Sequence, residues 1–322
     1  MTLHTENFVT LFNINYLVQG IVLYRSLATH MPTFRLWVLC LDEETFQALG
    51  KLSLPNLCPL RLAELETAEL LKIKGKRSLK EYCWTLTPFA PRFVFELEPE
   101  IERITYVDAD LYFTKSPNLI FSEFEKSSKS VLITEHAYDP QHDQTLSSGK
   151  YCVQFITFDR MLGEKVRKDW ELKCIDWCYS RHEDGKFGDQ KYLEAWPVDF
   201  SELVYVLENK ELIRGPWNAN FYPNESCIAW HFHDFRLFAL FNYLGAFIGD
   251  YPLPEQVIKK FYVQYFKESL NIIHYLGESK VIYLLQNKFL KGRIFSLAIN
   301  FIQVKLKRRV DKFLFQGHLP PE

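Results

Sequence analysis

Over the first 240 residues, short apolar runs alternate with longer stretches whose apolar positions recur at helical spacing. Residues 8–12 and 34–41 are the first two runs, and Val18, Ile21, Val22, Leu23 and Leu27 mark a helix between them. Asp42-Glu43-Glu44 follows the second run as an acidic helix start. A short strand near residues 60–62, a helix from about Leu65 and an apolar helix over 81–95 come next, then a strand of β-formers over 104–107. The alternation continues with a helix near 119–127 and strands over 130–134 and 150–158. A long amphipathic helix then runs through Trp170, Cys174, Trp177 and Cys178, and an alternating strand covers 228–236. Such a pattern predicts an α/β architecture: a mostly parallel sheet with helices on both faces. Residues 1–250 are expected to form that domain and 251–322 a C-terminal helical appendage.

Composition narrows this picture. A chain of 322 residues, 48% hydrophobic, suffices for one large core or a domain plus appendage. A formal net charge of −2 speaks against a general nucleic-acid binder. Seven cysteines at irregular spacing match neither zinc-finger nor thioredoxin patterns and are expected as reduced thiols. The first seven residues are polar and lack a basic leader, and no run of 18 apolar residues occurs. A cytoplasmic location is therefore expected.

Candidate chemistry concentrates where strands end. Asp108 and Asp110 close the 104–107 strand, and in extended backbone residues i and i+2 lie on one side, roughly 6–7 Å apart. Like charges that close repel, and a divalent cation carrying a diphosphate would relieve them. Asn13, Asn15, Tyr16 and Asp42 fall at other carboxyl ends, where open α/β sheets bind ligands. Arg92 is a candidate phosphate contact, although an Arg there is more often a surface cation with a buried stem. A polar loop holding His136, Asp139, His142 and Asp143 suits a lid or plain loop better than a metal site. Asp189-Gln190 open a helix after Gly185 and Gly188, where an Asp is ordinarily an N-cap. In the 228–236 strand, His231 and His233 would share one face, with Asp234 and Arg236 completing a metal and phosphate wall.

The tail differs in kind. Residues 294–304 are apolar nearly all round but too short to span a bilayer. Leu306, Val310 and Phe313 then recur among Lys305, Lys307, Arg308, Arg309 and Lys312. A helix lying on an anionic membrane surface and a docking or dimerisation helix both fit.

Six segments appear in order: 81–88 (Glu-Tyr-Cys-Trp-Thr-Leu-Thr-Pro), 106–113 (Tyr-Val-Asp-Ala-Asp-Leu-Tyr-Phe), 149–155 (Gly-Lys-Tyr-Cys-Val-Gln-Phe), 187–193 (Phe-Gly-Asp-Gln-Lys-Tyr-Leu), Pro216-Trp217-Asn218 and His231-Phe232-His233. This set resembles bacterial GT-A-type glycosyltransferases related to the family 8 and nucleotide-diphospho-sugar transferase groups, over roughly residues 5–240. The resemblance implies a Rossmann-like GT-A fold and transfer of a sugar from a nucleotide-sugar to a hydroxyl acceptor. It favours retention of configuration, in surface polysaccharide (lipopolysaccharide) or glycolipid assembly. It makes Asp108 and Asp110 ligands of Mn²⁺ (or Mg²⁺), with His231 or His233 as a further ligand, His231 slightly favoured. It places Arg236 on phosphate, Asp189 and Gln190 at the donor sugar and anomeric carbon, and Asn13 and Tyr16 at the nucleotide. Where many relatives carry Asn and Gly, this chain has Cys152 and Gln154, which with Trp217 and Asn218 would shape the substrate pocket. Asp234 replaces a usual Gly and adds negative charge near the expected diphosphate.

Three rivals compete. An aspartyl phosphatase would want the acid pair early in the chain. A nucleotidyltransferase on a related fold would want a Gly-rich loop where this chain has Asn13-Ile14-Asn15-Tyr16. A non-catalytic, membrane-peripheral binding protein would bind no nucleotide.

Overall fold

The computed structural model describes residues 5–240, 243–277 and 313–315, and the chain divides into two units, Met1–His231 and Phe232–Glu322. In the first unit, β1 (Glu6–Phe12) and β2 (Phe34–Cys40) pair in parallel over their whole lengths, and β3 (Leu57–Arg61) adds in parallel beyond β2. On the other side of β1 lies β4 (Arg103–Val107), also parallel. A short β5 (Leu111–Phe113) follows it, then β6 (Val131–Glu135), β7 (Tyr151–Asp159) and β8 (Val204–Val206). The seven-stranded sheet has the order β3-β2-β1-β4-β7-β6-β8, and only β7 runs against its neighbours. The predicted mostly parallel α/β sheet is therefore present. β1 and β2 are buried almost throughout, as strands covered by helices must be.

A second, three-stranded sheet in this unit joins β5 to β9 (Ile213–Arg214) and β10 (Ala229–His231). β10 pairs antiparallel with β5, His231 opposite Leu111, so it lands one residue beyond Asp110. That pairing brings a residue more than a hundred positions away onto the acid pair.

Local chemistry explains several elements. Ser78 and Glu81 form a capping box that starts the helix Leu79–Leu86. Phe12, the last residue of β1, places its ring where Gly20 would carry a Cβ, 2.3 Å from the nearest ring atom. The helix Leu17–His30 can therefore close onto the strand end. Trp170, on the helix Glu164–Asp176, is fully buried edge-on to Trp196, with ring centroids 5.3 Å apart. Its indole N–H donates to the Asp189 carbonyl at 2.8 Å. At the other end of the strands, Arg103 is held between Glu6 and Glu125, and Arg160 donates to the carbonyls of Phe95, Glu98 and Ile101.

Two sequence expectations need correction. The amphipathic helix ends at Asp176, so Trp177 and Cys178 lie beyond it; both Cys174 and Cys178 are nonetheless buried. All seven cysteines, each within the described residues, are free. The strand expected over 228–236 is broken: β10 stops at His231, Phe235 N–H bonds Phe232 carbonyl at 2.9 Å, and Asp234 sits at φ 60°. An alternating pattern cannot announce such a turn, and Asp is one of the few residues that tolerate it.

In the second unit, β11 (Arg236–Leu240), β12 (Tyr243–Phe247) and β13 (Phe313–Phe315) form an antiparallel sheet. A helix runs from Glu255–Val257 through a π-helical turn, Ile258–Tyr262, into Val263–Leu276. Phe232 stacks on Tyr265 at 3.7 Å, one of the aromatic contacts of its core. The basic helix predicted from Lys305 lies outside the described residues up to Lys312. Its last three residues are strand, as their aromatic and apolar character allows. Among the described residues no helix is long and apolar enough to cross a membrane.

Trp170→Ala is expected to destabilise the protein by about 3–5 kcal/mol, because it empties a closed core site and frees the Asp189 carbonyl. Denaturant unfolding checks this, and Trp170→Phe should recover most of the loss.

Candidate metal centre and active site

The site begins where β4 stops. Asp108 N–H still donates to the Gln154 carbonyl on β7 at 3.1 Å, continuing the ladder by one bond. The chain then turns through Ala109 and Asp110, with Leu111 N–H bonded to the Asp108 carbonyl. Asp108, Asp110 and His231 each offer a ligand atom within 4.8 Å of the others. His231 Nε2 lies 3.0 Å from Asp110 Oδ1 and 3.7 Å from Asp108 Oδ2. The Asp108 and Asp110 side chains keep 21% and 14% exposure, which leaves them an approach from solvent, whereas His231 keeps 7%.

The donor set fits a divalent cation. Two carboxylates and one imidazole are the oxygen and nitrogen mixture that Mn²⁺ accepts. The other ring nitrogen is already engaged, Nδ1 lying 2.9 Å from Gln154 Oε1, so Nε2 is the one turned to the acids. Tyr106, two residues before Asp108 and hence on its side of the strand, donates to Asp108 Oδ1 at 2.9 Å.

Electrostatics follow from burial and crowding. Burial lifts Asp108 to about 6; Asp110 adds to the rise, while His231 and the Tyr106 hydroxyl oppose it. Burial would lower His231, but the carboxylates, Asp110 foremost, outweigh it and hold the imidazole well above its usual range. Cys152 is buried and shares a side-chain hydrogen bond with His231; burial pushes its thiol up.

Asp189 behaves unlike a cap. It heads the 3₁₀ turn Gln190–Ala195 but makes no capping hydrogen bond with its side chain. It is 2% exposed, and its Oδ2 has no partner among the described residues. Burial raises it to about 7; the Thr87 hydroxyl opposes the rise, and the charge of Asp108 adds to it. Gly188, at φ 56° against the Trp84 ring, makes the turn that delivers it. Gln190 reaches back to the Ser148 carbonyl at 2.5 Å.

The remaining candidates divide. Asp42 is the N-cap of the helix Glu43–Leu52, and its Oδ2 accepts from Ile14 N–H at 3.1 Å, tying the ends of β1 and β2 together. Asn13 caps the 3₁₀ turn Ile14–Tyr16 by accepting from Asn15 N–H. Trp217 and Asn218 both donate to the His136 carbonyl, at 2.7 and 2.8 Å, so they clasp that loop; Trp217 also meets His231 edge-on at 5.3 Å. His136 itself is buried, stacked on Tyr138. Arg92 is paired with Glu96 on its own helix and with Glu171 on the helix Glu164–Asp176. In the second unit, His233 is half-exposed with Nε2 3.4 Å from Asp234, and Arg236 hydrogen-bonds Asp234 and the Phe235 carbonyl. The expectation of two histidines on one strand face therefore fails at the Asp234 turn. Sequence reasoning gave Tyr106 and Thr87 no role, although strand alternation alone aligns Tyr106 with Asp108.

A mostly parallel sheet with acids and a histidine at its carboxyl edge defines a GT-A-type fold. The chain aligns with the apo form of the glycosyltransferase GlyE of Streptococcus pneumoniae TIGR4 at TM-score 0.50 and 14% identity, covering 87% of this chain and 64% of that one. No protein-family model matches. Among curated proteins, the uncharacterized protein YfnF of Bacillus subtilis (strain 168) is 33% identical over 222 residues, 66% of this chain and 72% of YfnF. The uncharacterized protein YfnD of the same strain is 28% identical over 225 residues, 68% and 70% of the two chains. The chain belongs to the family of YfnF.

Asp189 makes stability pH-dependent. A carboxyl raised to about 7 keeps its proton in the folded state after the unfolded chain has lost it. Its contribution is full below the unfolded value near 4, declines as pH rises, and is gone above about 7. Asp189→Asn is therefore expected to match the wild-type melting temperature near pH 4 and exceed it by several degrees near pH 8. An offset independent of pH would contradict this.

Proposed function

We propose that the protein is a metal-dependent, retaining glycosyltransferase that moves a sugar from a nucleotide-diphosphate sugar to a hydroxyl acceptor. The observation that carries this is the convergence of Asp108, Asp110 and His231 at the carboxyl edge of a GT-A sheet. Those three side chains would hold the cation, Mn²⁺ by its tolerance of nitrogen, with Mg²⁺ as the harder alternative. A divalent cation bound there supplies charge neutralisation to a departing diphosphate.

The chain's own residues do the rest. Tyr106 stays protonated and orients Asp108 by hydrogen bond. Asn13, Asn15, Tyr16 and Asp42 sit at the ends of β1 and β2, the edge where such sheets take a nucleotide. Asp189, buried with an unpartnered oxygen, can accept from a sugar hydroxyl or face the anomeric carbon, and Gln190 stands beside it. Cys152 and Trp217 wall the site around His231. The ion pairs of Arg92 leave it a structural role. GlyE's activity and the sequence resemblance support sugar transfer. The resemblance also suggests a surface glycan or glycolipid acceptor.

Two outcomes are expected. In a thermal-shift series with UDP, GDP and CMP, at least one nucleotide should raise the melting temperature only when Mn²⁺ is present, and Asp108→Ala should remove both that shift and turnover, by about 10²-fold or more. No response to any nucleotide would leave the fold without this chemistry. Because His231 must lose its proton to become a ligand, Mn²⁺ affinity should increase with pH through neutrality. Calorimetry in buffers of different ionisation enthalpy should register proton release, and a heat independent of buffer would count against His231 as ligand.

A further inference from the structure

We infer that Gln154 is the positioning residue of this centre: its side-chain carbonyl fixes the His231 ring, and its main-chain carbonyl fixes Asp108. The inference rests on the metal site proposed above and extends it to a residue outside the ligand set.

The geometry is specific to one residue. β7 pairs with β4 as far as Phe155, opposite Val107. Its pairing with β6 is irregular between Leu132 and Thr134 and resumes at Cys152. Gln154 lies inside this irregular stretch. From there its carbonyl accepts from Asp108 N–H at 3.1 Å, and its Oε1 lies 2.9 Å from His231 Nδ1. The side chain is fully buried, so no water competes for either bond.

Chemistry then sets the histidine's proton. A carbonyl oxygen at Nδ1 requires that nitrogen to carry hydrogen, so in the neutral ring that would bind a cation the lone pair is the one on Nε2, facing Asp108 and Asp110. Metal-bound histidines are oriented by just such a carbonyl or carboxylate partner. Packing alone does not explain the residue, because Gln154 Nε2 is buried with no partner among the described residues. A buried amide with half its capacity unmet costs stability that an apolar side chain would not.

The test uses the full chain and Mn²⁺ alone, without nucleotide. Gln154→Met keeps the length and removes the acceptor; its Mn²⁺ dissociation constant should rise about 10–100-fold, while its metal-free melting temperature stays near wild type. Gln154→Glu restores an acceptor to Nδ1 and should recover most of the affinity. Imidazole ¹⁵N spectra of the wild type saturated with diamagnetic Cd²⁺ should place the remaining proton of His231 on Nδ1. Wild-type affinity in Gln154→Met, or the proton on Nε2, overturns the positioning role. If the wild type takes no Mn²⁺, the metal reading fails first and this inference with it. If Gln154→Met does not fold, the wild-type spectrum and Gln154→Glu still decide.

Discussion

Two carboxylates that repel each other are held together with an imidazole, ligand atoms within 4.8 Å at the end of the central strand. Strand geometry forces the first acid into place, a tight turn supplies the second, and a short antiparallel pairing brings the histidine. Like charges in so confined a space are tolerable only with a compensating positive charge. In the metal-free protein that charge is a proton, drawn onto His231 by the acids around it. A cation of the kind proposed above would take the place of that proton.

The two ends of the sheet differ in the kind of order they carry. At the amino end of β4, Arg103 lies between Glu6 and Glu125 with its Nε left without a hydrogen bond, and Arg160 spans three carbonyls. At the carboxyl end, Asp189 and Gln154 are buried with polar atoms unmet. Unpartnered buried atoms occur elsewhere among the described residues too, Arg103 Nε and Trp196 Nε1 among them, so each such group is a cost the fold carries rather than a mark of one edge.

Much of this was legible in the chain. β1, β2, β4, β6 and β7 came from apolar runs, because a sheet covered on both faces needs continuous apolar strands. The acid pair followed from a strand end, whereas alternation offered His231 and His233 together and only the resemblance favoured His231. What stayed hidden depended on tertiary context. The turn at Asp234 is set by a left-handed residue inside an otherwise alternating segment. Arg92 could be assigned to phosphate until Glu171, nearly eighty residues away, was seen beside it. Asp189 looked like an N-cap because local sequence cannot reveal that its side chain points into a closed interior. Gln154 appeared only as a residue that fills space, since its link to His231 spans 77 positions.

The contact between Phe12 and Gly20 carries a lesson for anyone wishing to toughen this protein. Helix propensity favours alanine over glycine by about 1 kcal/mol, so a helical glycine is the usual first choice for replacement. At Gly50, with nothing within 4 Å of the added methyl, that choice is sound. At Gly20 the methyl would meet the Phe12 ring at the end of β1, directly before the turn that Asn13 caps. Two glycines that a propensity table scores alike therefore stand at opposite ends of the engineer's ranking.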